Sequence, residues 1–359
     1  MLELRTAEGA FEAVEAWLRE RGFFAPGGEE LVADLFLGYG LSASLRRGRS
    51  PAPAEPCPAL PLAACVVRRP RYVYRDDNDG DGFAIGTWRR SWPAEAYAAA
   101  VAAVRRSIAR GDVYQVNLVQ HLWAPFAGDV EALATALAPV GGARRLLAGE
   151  GWAVASATPE LFLARRGDRV WTMPIKGTRP LDSDDDLAGS AKDAAEHVMI
   201  VDLERNDLSR VCEPGSVRWP ELMAERSLAG VRHLVSTVEG RLRPGVGLAD
   251  LLRAAFPGGS VTGAPKVAAV DLIAELEPVG RGASMGALGW VRGNGDLELA
   301  LTIRTFAVAD GRIHLWVGGG VVWDSDPLGE VEESLVKAAP LLEAIGAPLA
   351  EPLRLAVGS

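Results

Sequence analysis

Lys176 stands in the stretch WTMPIKGTR, with Pro174 before it and Gly177 directly after it. The apolar residues ahead of the proline suit the end of a buried strand, and proline and glycine both favour a turn. The pattern predicts a lysine held at a strand-to-loop corner. Partial burial there would favour an uncharged amine, which is the nucleophilic form. The alternative is a lysine on a solvated surface turn, where most lysines beside glycine and proline lie.

Glu160 is the carboxylate best placed for proton transfer. It follows Pro159 in the otherwise apolar run ASATPELFLAR. Removing a carboxyl group from water raises its pKa toward the range in which it can act as a general acid. We therefore interpret Glu160 as a candidate proton donor.

Further carboxylates lie on two predicted helices. Asp193 and Glu196 are one turn apart in KDAAEHVMIVDLERNDLSRV, and Glu330 and Glu333 share a helix face with Lys337. Carboxylate oxygens bind hard cations such as Mg²⁺, and the sequence has no histidine-rich cluster of the kind that zinc prefers. The alternative is a pair of solvated helix faces that carry surface ion pairs.

Two glycine-rich segments could bind an acidic ligand. FPGGSVTGAPK, which contains Thr262, has the glycine spacing of a phosphate-binding loop but lacks the lysine and hydroxyl residue that such a loop requires. It precedes a predicted helix whose first N–H groups could receive a carboxylate. Farther along, Arg304 could hold a carboxylate with two hydrogen bonds. Gly319 and Gly320 would let the backbone approach that ligand closely.

The elements that carry these residues include both helices and strands. Apolar residues recur at helical spacing from Tyr97 to Ile108, and Gly111 ends that helix. The strand that follows presents Gln115 on one face. A strand broken at Pro159 is predicted in ASATPELFLAR, and further strands are predicted at 297–308 and at 313–323. The proline-rich segment 51–61 can be neither a helix nor a central strand.

Composition limits the classes of function. The 359 residues, 48% hydrophobic and 24% charged, are typical of a globular protein with a large core. A net charge of −9 with scattered basic residues argues against nucleic acid and anionic membranes as partners. The N-terminal segment has no basic start followed by an apolar core, so we expect no signal peptide, no membrane span and a cytoplasmic location. Three cysteines without CxxC spacing indicate neither disulfides nor zinc.

Several of these stretches together resemble the chorismate-utilising enzymes: GDVYQVNL, TPELF, PIKGTR, EHVMIVDLERND and FPGGSVTGAPK. Within that family, PIKGTR resembles component I of aminodeoxychorismate synthase, because anthranilate synthases have alanine where Lys176 stands. The resemblance implies an α+β fold like that of anthranilate synthase component I, with two large mixed β-sheets packed as a sandwich and helices outside. We expect a shortened N-terminal portion at 1–90 packed on a chorismate-binding catalytic domain at 91–350.

The resemblance also implies roles for the candidate residues. Lys176 would attack the chorismate ring, and Glu160 would protonate the leaving hydroxyl group. Glu196 and Glu333 would bind Mg²⁺. Gln115 stands where relatives that add water have a basic lysine; an amide cannot take that proton but can orient ammonia, so it favours amination. The other implied positions are His233 close to the ring, Asp193 and Glu330 at the metal, and Gly177, Thr178, Thr262, Arg304, Gly319, Gly320 and Lys337 around the substrate.

For two of these residues, a purely structural role is the alternative. Gln115 could be a polar residue on the solvated face of an edge strand, and His233 could be a hydrogen-bonded core histidine. One departure from the family is Ser284, where an aromatic residue is common.

The implied reaction converts chorismate to 4-amino-4-deoxychorismate, on the way to para-aminobenzoate and folate. Ammonia would come from a separate glutamine amidotransferase subunit, because the chain shows no Cys-His glutaminase arrangement. Two alternatives remain. Anthranilate synthase component I would require alanine at position 176, and a non-catalytic chorismate-binding protein would bind the substrate without turnover.

Overall fold

The structure of the chain is a computed structural model that describes residues 1–48, 50–68, 82–141, 145–180, 191–228 and 231–350. For residues 178–180, 191–193, 228 and 231 it describes the backbone alone. The predicted side-chain roles of Thr178 and Asp193 therefore lie outside the described part. Within that part, no helix is long and apolar enough to cross a membrane.

Helices are interspersed among runs of strands along the chain. The described α-helices are Ala10–Arg19 (α1), Ala94–Arg110 (α2), Val130–Gly141 (α3), Ala191–Ser209 (α4), Leu248–Ala255 (α5), Lys266–Leu276 (α6) and Pro327–Ala344 (α7). The described strands are Leu2–Leu4 (β1), Val32–Leu37 (β2), Ala63–Val67 (β3), Phe83–Ile85 (β4), Arg89–Arg90 (β5), Gln115–Gly128 (β6), Arg145–Gly149 (β7), Trp152–Ser156 (β8), Leu161–Arg166 (β9), Arg169–Met173 (β10), Ile175–Pro180 (β11), Arg218–Leu228 (β12), Val231–Arg241 (β13), Gly263–Ala264 (β14), Ala287–Arg292 (β15), Leu297–Leu301 (β16), Thr305–Ala309 (β17) and Arg312–Val321 (β18).

Two large sheets form the framework. In the described residues the first sheet has the strand order β1-β3-β2-β15-β16-β9-β10-β13-β11, and β12 also pairs with β13. The second has the order β14-β6-β18-β17-β8-β7, and β4 and β5 pair with β6. Each of these pairs is antiparallel. The α+β fold class is confirmed, with antiparallel sheets where mixed ones were expected.

The largest core cluster contains apolar side chains from both sheets and from α1, α2 and α5. The rings of Phe36 on β2 and Trp152 on β8 have centroids 6.4 Å apart, which joins the two sheets directly. Burial of these faces against each other is the main favourable term for such a layered fold. Strands β1 to β3 extend the first sheet beyond β15, so the N-terminal residues share this core.

Two of the places where the chain crosses between the sheets are adjacent to each other. The strand in ASATPELFLAR is broken around Pro159, as predicted: β8 ends at Ser156 in the second sheet, and β9 begins at Leu161 in the first. The strand predicted at 297–308 is likewise two strands, β16 in the first sheet and β17 in the second. That prediction was wrong because Arg304 has a φ of 49°, which takes the chain out of one sheet and into the other. Glu160 and Arg304 lie at these two crossings.

Lys176 does not lie at a strand-to-loop corner. The strand resumes after Pro174, and Lys176 is the second residue of β11. The register of β11 with β13 shifts between Lys176 and Thr178, so Gly177 forms a β-bulge. Proline and glycine therefore interrupt the ladder without ending it, because β13 continues to supply backbone partners on the other side.

A buried ion pair joins α6 to the second sheet. Arg281 is 1% exposed and its Nη2 lies 2.7 Å from Oε1 of Glu277. The guanidinium also donates to the carbonyl oxygens of Val261 and Asn117, at 2.9 and 2.6 Å. Oε1 of Glu277 in turn accepts from the backbone N–H of Val119 at 3.0 Å.

We expect Arg281→Ala to lower the free energy of unfolding by about 3 to 5 kcal/mol, because it leaves Glu277 charged and buried without its partner. Urea denaturation followed by circular dichroism measures this change. Arg205→Ala, which removes an exposed pair with Asp202, is the matched control and should change stability by less than about 1 kcal/mol. Equal effects of the two substitutions would contradict the structural role given to the buried pair.

Candidate active site

The bulge at Gly177 sets the direction of Lys176. Gly177 has a φ of 67°, a left-handed conformation that glycine adopts without steric cost. A bulge places an additional residue on one strand and re-aims the side chains beside it. The side chain of Lys176 is 15% exposed, so its amine is largely removed from solvent.

The amine of Lys176 meets residues from two other elements. Its Nζ lies 2.6 Å from Oε1 of Glu196 on α4, and the same oxygen accepts from Nε2 of Gln115 on β6 at 2.6 Å. A carboxylate only accepts hydrogen bonds, so the amide nitrogen of Gln115 must face it. Oε1 of Gln115 is buried and finds no hydrogen-bond partner in the described chain. This leaves a buried acceptor beside the amine.

Glu160 lies at the first crossing between the sheets and is 6% exposed. Burial raises the pKa of Glu160, while a hydrogen bond from Ser260 and the charges of Lys176 and Arg304 oppose that rise. Oγ of Ser260 is 2.7 Å from Oε1 of Glu160. Such a carboxyl group can hold a proton nearer neutral pH than an exposed one, which is the requirement for a general acid.

Arg304 and His233 complete the same region. The carbonyl oxygen of Arg304 accepts from the backbone N–H of Ala157 at 3.0 Å, which holds the two crossings together. Burial lowers the pKa of Arg304, and the nearby charge of Glu160 opposes that change. His233 is 1% exposed, and burial lowers its pKa. Its Nδ1 is 3.3 Å from the carbonyl oxygen of Gly177, so Nδ1 carries the proton and donates it.

The glycine-rich loop contacts this group of residues through the hydrogen bond from Ser260 to Glu160. Thr262 is fully buried, and its hydroxyl donates to the carbonyl oxygen of Gly258 at 2.9 Å. Its backbone carbonyl accepts from the N–H of Asn117 at 2.8 Å. The hydroxyl of Thr262 thus holds the shape of the loop, and its contact with a substrate stays a prediction. Ser284 is also fully buried, with its hydroxyl 3.4 Å from the carbonyl oxygen of Thr302.

Two of the three glycines of β18, Gly319 and Gly320, approach the acidic residues of both helices. A Cβ atom built on Gly320 would lie 2.7 Å from Oε1 of Glu196 and would overlap Nε2 of Gln115. A Cβ atom on Gly319 would lie 3.1 Å from Nζ of Lys337 and 3.2 Å from Oε2 of Glu330. Only a residue without a side chain lets these groups approach the strand so closely.

The predicted magnesium ligands are chemically suitable for a hard cation but are engaged with other groups. Glu333 pairs with Lys337 at 2.7 Å, and Oε1 of Glu330 accepts from Ser325 at 2.6 Å. Glu196 pairs with Lys176, as described above. Among the described residues, no three His, Cys, Asp or Glu side chains lie close enough together to hold a metal ion. The assignment of Mg²⁺ to this site therefore stays a prediction.

Sequence reasoning missed a buried polar cluster next to Glu160. Glu204 and Asp207 on α4 are 7% and 3% exposed, and Lys266 at the start of α6 is 8% exposed. Burial, with the charge of Glu160 next in importance, raises the pKa of Glu204 to about 8. The signal was available, because Glu204 follows Ile200 and Val201 at spacings of four and three residues, on the apolar face of the helix.

We expect Glu204 to make stability fall as pH rises. A carboxyl whose pKa is raised from its ordinary 4.5 to about 8 keeps its proton in the folded state, while the unfolded chain releases it above pH 4.5. The stabilisation is therefore complete below pH 4.5 and lost on approaching pH 8. From pH 5 to pH 8, the wild type should lose a few kcal/mol relative to Glu204→Gln. Urea denaturation at each pH measures this difference.

The control for this comparison is Glu275→Gln, which changes an exposed glutamate on α6. Its stability relative to the wild type should not depend on pH. A constant difference between the wild type and Glu204→Gln across the same range would show that Glu204 is ionised in the folded protein.

Comparisons with known proteins agree with this geometry. The chain is 40% identical over 316 residues to anthranilate synthase component 1 of Streptomyces coelicolor, an alignment that covers 85% of this chain and 59% of that protein. It is 43% identical over 268 residues to aminodeoxychorismate synthase component 1 of Klebsiella aerogenes, covering 71% of this chain and 59% of the relative. These alignments thus span 59% of the length of each relative.

The fold comparison gives the same family. The crystal structure of anthranilate synthase component I from Streptococcus pneumoniae has a TM-score of 0.74 to this chain at 27% identity, covering 86% of this chain and 80% of that one. The sequence profile of chorismate binding enzymes matches residues 74–343. The chain belongs to the chorismate binding enzyme family.

Proposed function

We propose that this protein aminates chorismate to 4-amino-4-deoxychorismate with ammonia, as component I of an aminodeoxychorismate synthase. The observation that carries the proposal is Lys176, a largely buried amine beside Glu196 and close to Glu160. Both kinds of component I occur among its relatives at similar identity, so overall similarity does not separate the two reactions. Lys176 favours the aminodeoxychorismate synthase reaction, because the resemblance gives anthranilate synthases alanine at this position.

In the first half of the proposed reaction, the chain itself supplies the nucleophile and the acid. The amine of Lys176, after losing the proton that it carries in the ion pair with Glu196, forms a bond to ring carbon 2. The ring double bonds shift, and the bond from carbon 4 to its hydroxyl breaks. Glu160 donates the proton with which the hydroxyl leaves as water. Arg304 lies near Glu160 and can pair with a substrate carboxylate.

In the second half, ammonia forms a bond to carbon 4, the double bonds shift back, and the bond from carbon 2 to Lys176 breaks. The buried Oε1 of Gln115 can accept a hydrogen bond from ammonia and orient it. An amide at this position cannot remove a proton from water, so hydration is disfavoured. The ring position of the new nitrogen follows from the covalent bond to Lys176.

Mg²⁺ is proposed to be held by Glu196 and Glu333, with Glu330 and Asp193 beside it. When bound, the ion would neutralise a carboxylate of the substrate. Gly319 and Gly320 bring the backbone of β18 next to these carboxylates. Formation of such a site requires Glu196 and Glu333 to exchange their lysine partners for the ion.

Anthranilate synthase activity is the second candidate, and the Streptomyces coelicolor relative, aligned over 85% of this chain, favours it. It predicts amination at carbon 2 and loss of the side chain as pyruvate. A partner amidotransferase, a role in para-aminobenzoate and folate synthesis, a cytoplasmic location and a domain boundary near residue 90 all remain predictions.

The proposed function predicts which nitrogen source the chain can use. The purified chain with chorismate, Mg²⁺ and an ammonium salt should form 4-amino-4-deoxychorismate, identified by liquid chromatography and mass spectrometry. Glutamine in place of ammonium should give no product, because a glutaminase site is not predicted here. Anthranilate as the product would favour the second candidate, and glutamine-dependent turnover would contradict the need for a partner.

Lys176→Ala should lower the rate of 4-amination by about two to four powers of ten, equivalent to about 3 to 5 kcal/mol of barrier, because the covalent route is lost. Residual product should shift toward amination at carbon 2. The matched variant is Lys176→Arg, which keeps a cation beside Glu196 but has no nucleophilic amine. Substantial 4-amination by either variant would mean that Lys176 acts only through its charge or shape.

Glu333→Gln should weaken the binding of Mg²⁺, because a charged oxygen ligand becomes neutral at almost constant shape. A titration of activity against Mg²⁺ should show saturation at a concentration at least about tenfold higher. Glu343→Gln on the same helix is the control, since it faces solvent. An unchanged titration curve for Glu333→Gln would exclude this residue as a ligand.

A further inference from the structure

We propose that Ser260 is a positioning residue that orients the carboxyl group of Glu160, and that a buried ion pair between Lys266 and Asp207 holds the loop that carries it. This inference rests on the proposed function, because it concerns the proton that Glu160 gives to the leaving hydroxyl group. It concerns a residue to which neither the sequence motifs nor the resemblance assigned a role.

The hydroxyl of Ser260 makes a contact that defines which oxygen of Glu160 carries the proton. Oγ of Ser260 donates to Oε1 of Glu160 at 2.7 Å, and the two residues are 8% and 6% exposed. An oxygen that accepts this hydrogen bond is a poor position for the proton of the acid itself. The proton is therefore directed to Oε2.

Lys266 holds the loop that presents Ser260 in place. Nζ of Lys266 donates to the carbonyl oxygens of Ala255 and Pro257, at 3.2 and 2.7 Å, and to the carboxylate of Asp207 on α4. These three acceptors use the three N–H donors of a lysine. Both members of the pair are at least nine-tenths buried, so the loss of either would leave an unpaired charge in the interior.

The contact of Ser260 differs from that of the other hydroxyl residue in the loop. Thr262 donates to the backbone of Gly258, an interaction that stabilises the loop itself. Ser260 donates across to a carboxyl group 100 residues away in sequence. A hydroxyl that only stabilised the loop would donate to the backbone of the loop itself, as the hydroxyl of Thr262 does.

The charged groups around Glu160 come from three further elements. Lys176 on β11 and Arg304 at the second crossing lower its pKa, and Ser260 adds to their effect. Glu204 on α4 faces it as well, and its own pKa is about 8, so it is mostly neutral below that pH. Removing the hydroxyl of Ser260 while leaving these charges in place should therefore raise the pKa of Glu160.

The experiment compares the wild type with Ser260→Ala by two readouts. The first is the titration of Glu160, followed by carbon NMR of protein labelled at the glutamate carboxyl carbons, with the resonance assigned through Glu160→Gln. The midpoint should move to higher pH in Ser260→Ala. The second is the pH profile of kcat for 4-amination. Its alkaline limb should move in the same direction, with kcat about tenfold lower at its maximum.

Ser236→Ala is the matched control, because Ser236 is fully buried on β13 and its hydroxyl accepts a hydrogen bond from the backbone of Met223. It should leave both readouts at their wild-type values. An unchanged titration of Glu160 in Ser260→Ala would overturn the proposal. The NMR readout does not depend on the product, so a wild type that makes anthranilate would refute the proposed function while this contact could still be confirmed or rejected.

Discussion

The candidate site depends on the ion pair between Lys176 and Glu196. Their side chains are 15% and 14% exposed, and the joining atoms are 2.6 Å apart. Removing two charges from water is costly unless each has a partner. A substitution of either residue would therefore leave the other charge buried without a partner. The pair ties β11 of the first sheet to α4, and the amide of Gln115 ties α4 to the second sheet. One carboxylate oxygen thus connects the three elements that enclose the amine.

The second constraint is the pair of adjacent crossings between the sheets at Glu160 and Arg304. Glu160 and Arg304 lie outside the regular ladders, where the backbone leaves one sheet for the other, and a backbone hydrogen bond of 3.0 Å holds the crossings side by side. Rigid strands on either side fix the positions of these residues. Because the residues lie outside the strands, their side chains need not point to alternate faces of a sheet. The acid and the arginine therefore meet the amine at the boundary of the two sheets. The glycine-rich loop contacts Glu160 through the hydrogen bond from Ser260.

The sequence was more informative about which residues are candidates for the site than about their structural surroundings. Motifs located Lys176, Glu160 and Glu196, because each occurs in an unusual local context. The same reasoning missed the bulge at Gly177 and treated the region around Arg304 as one strand, since both features are imposed by partners distant in sequence. Ser260 and Lys266 were quoted within a motif without a role, because their partners Glu160 and Asp207 are brought near only by the fold.

The central claim is that Lys176 becomes covalently bound to the ring during turnover. The most direct measurement mixes the chain with chorismate and Mg²⁺ in the absence of ammonia, quenches with acid, and determines the mass of the intact protein and of its proteolytic peptides. The account predicts a fraction of protein heavier by chorismate less one water, with the added mass on the peptide that contains Lys176, and loss of this species when ammonium is added before the quench. Unmodified protein at every quench time, from a preparation that aminates chorismate at carbon 4 when ammonium is present, would contradict it.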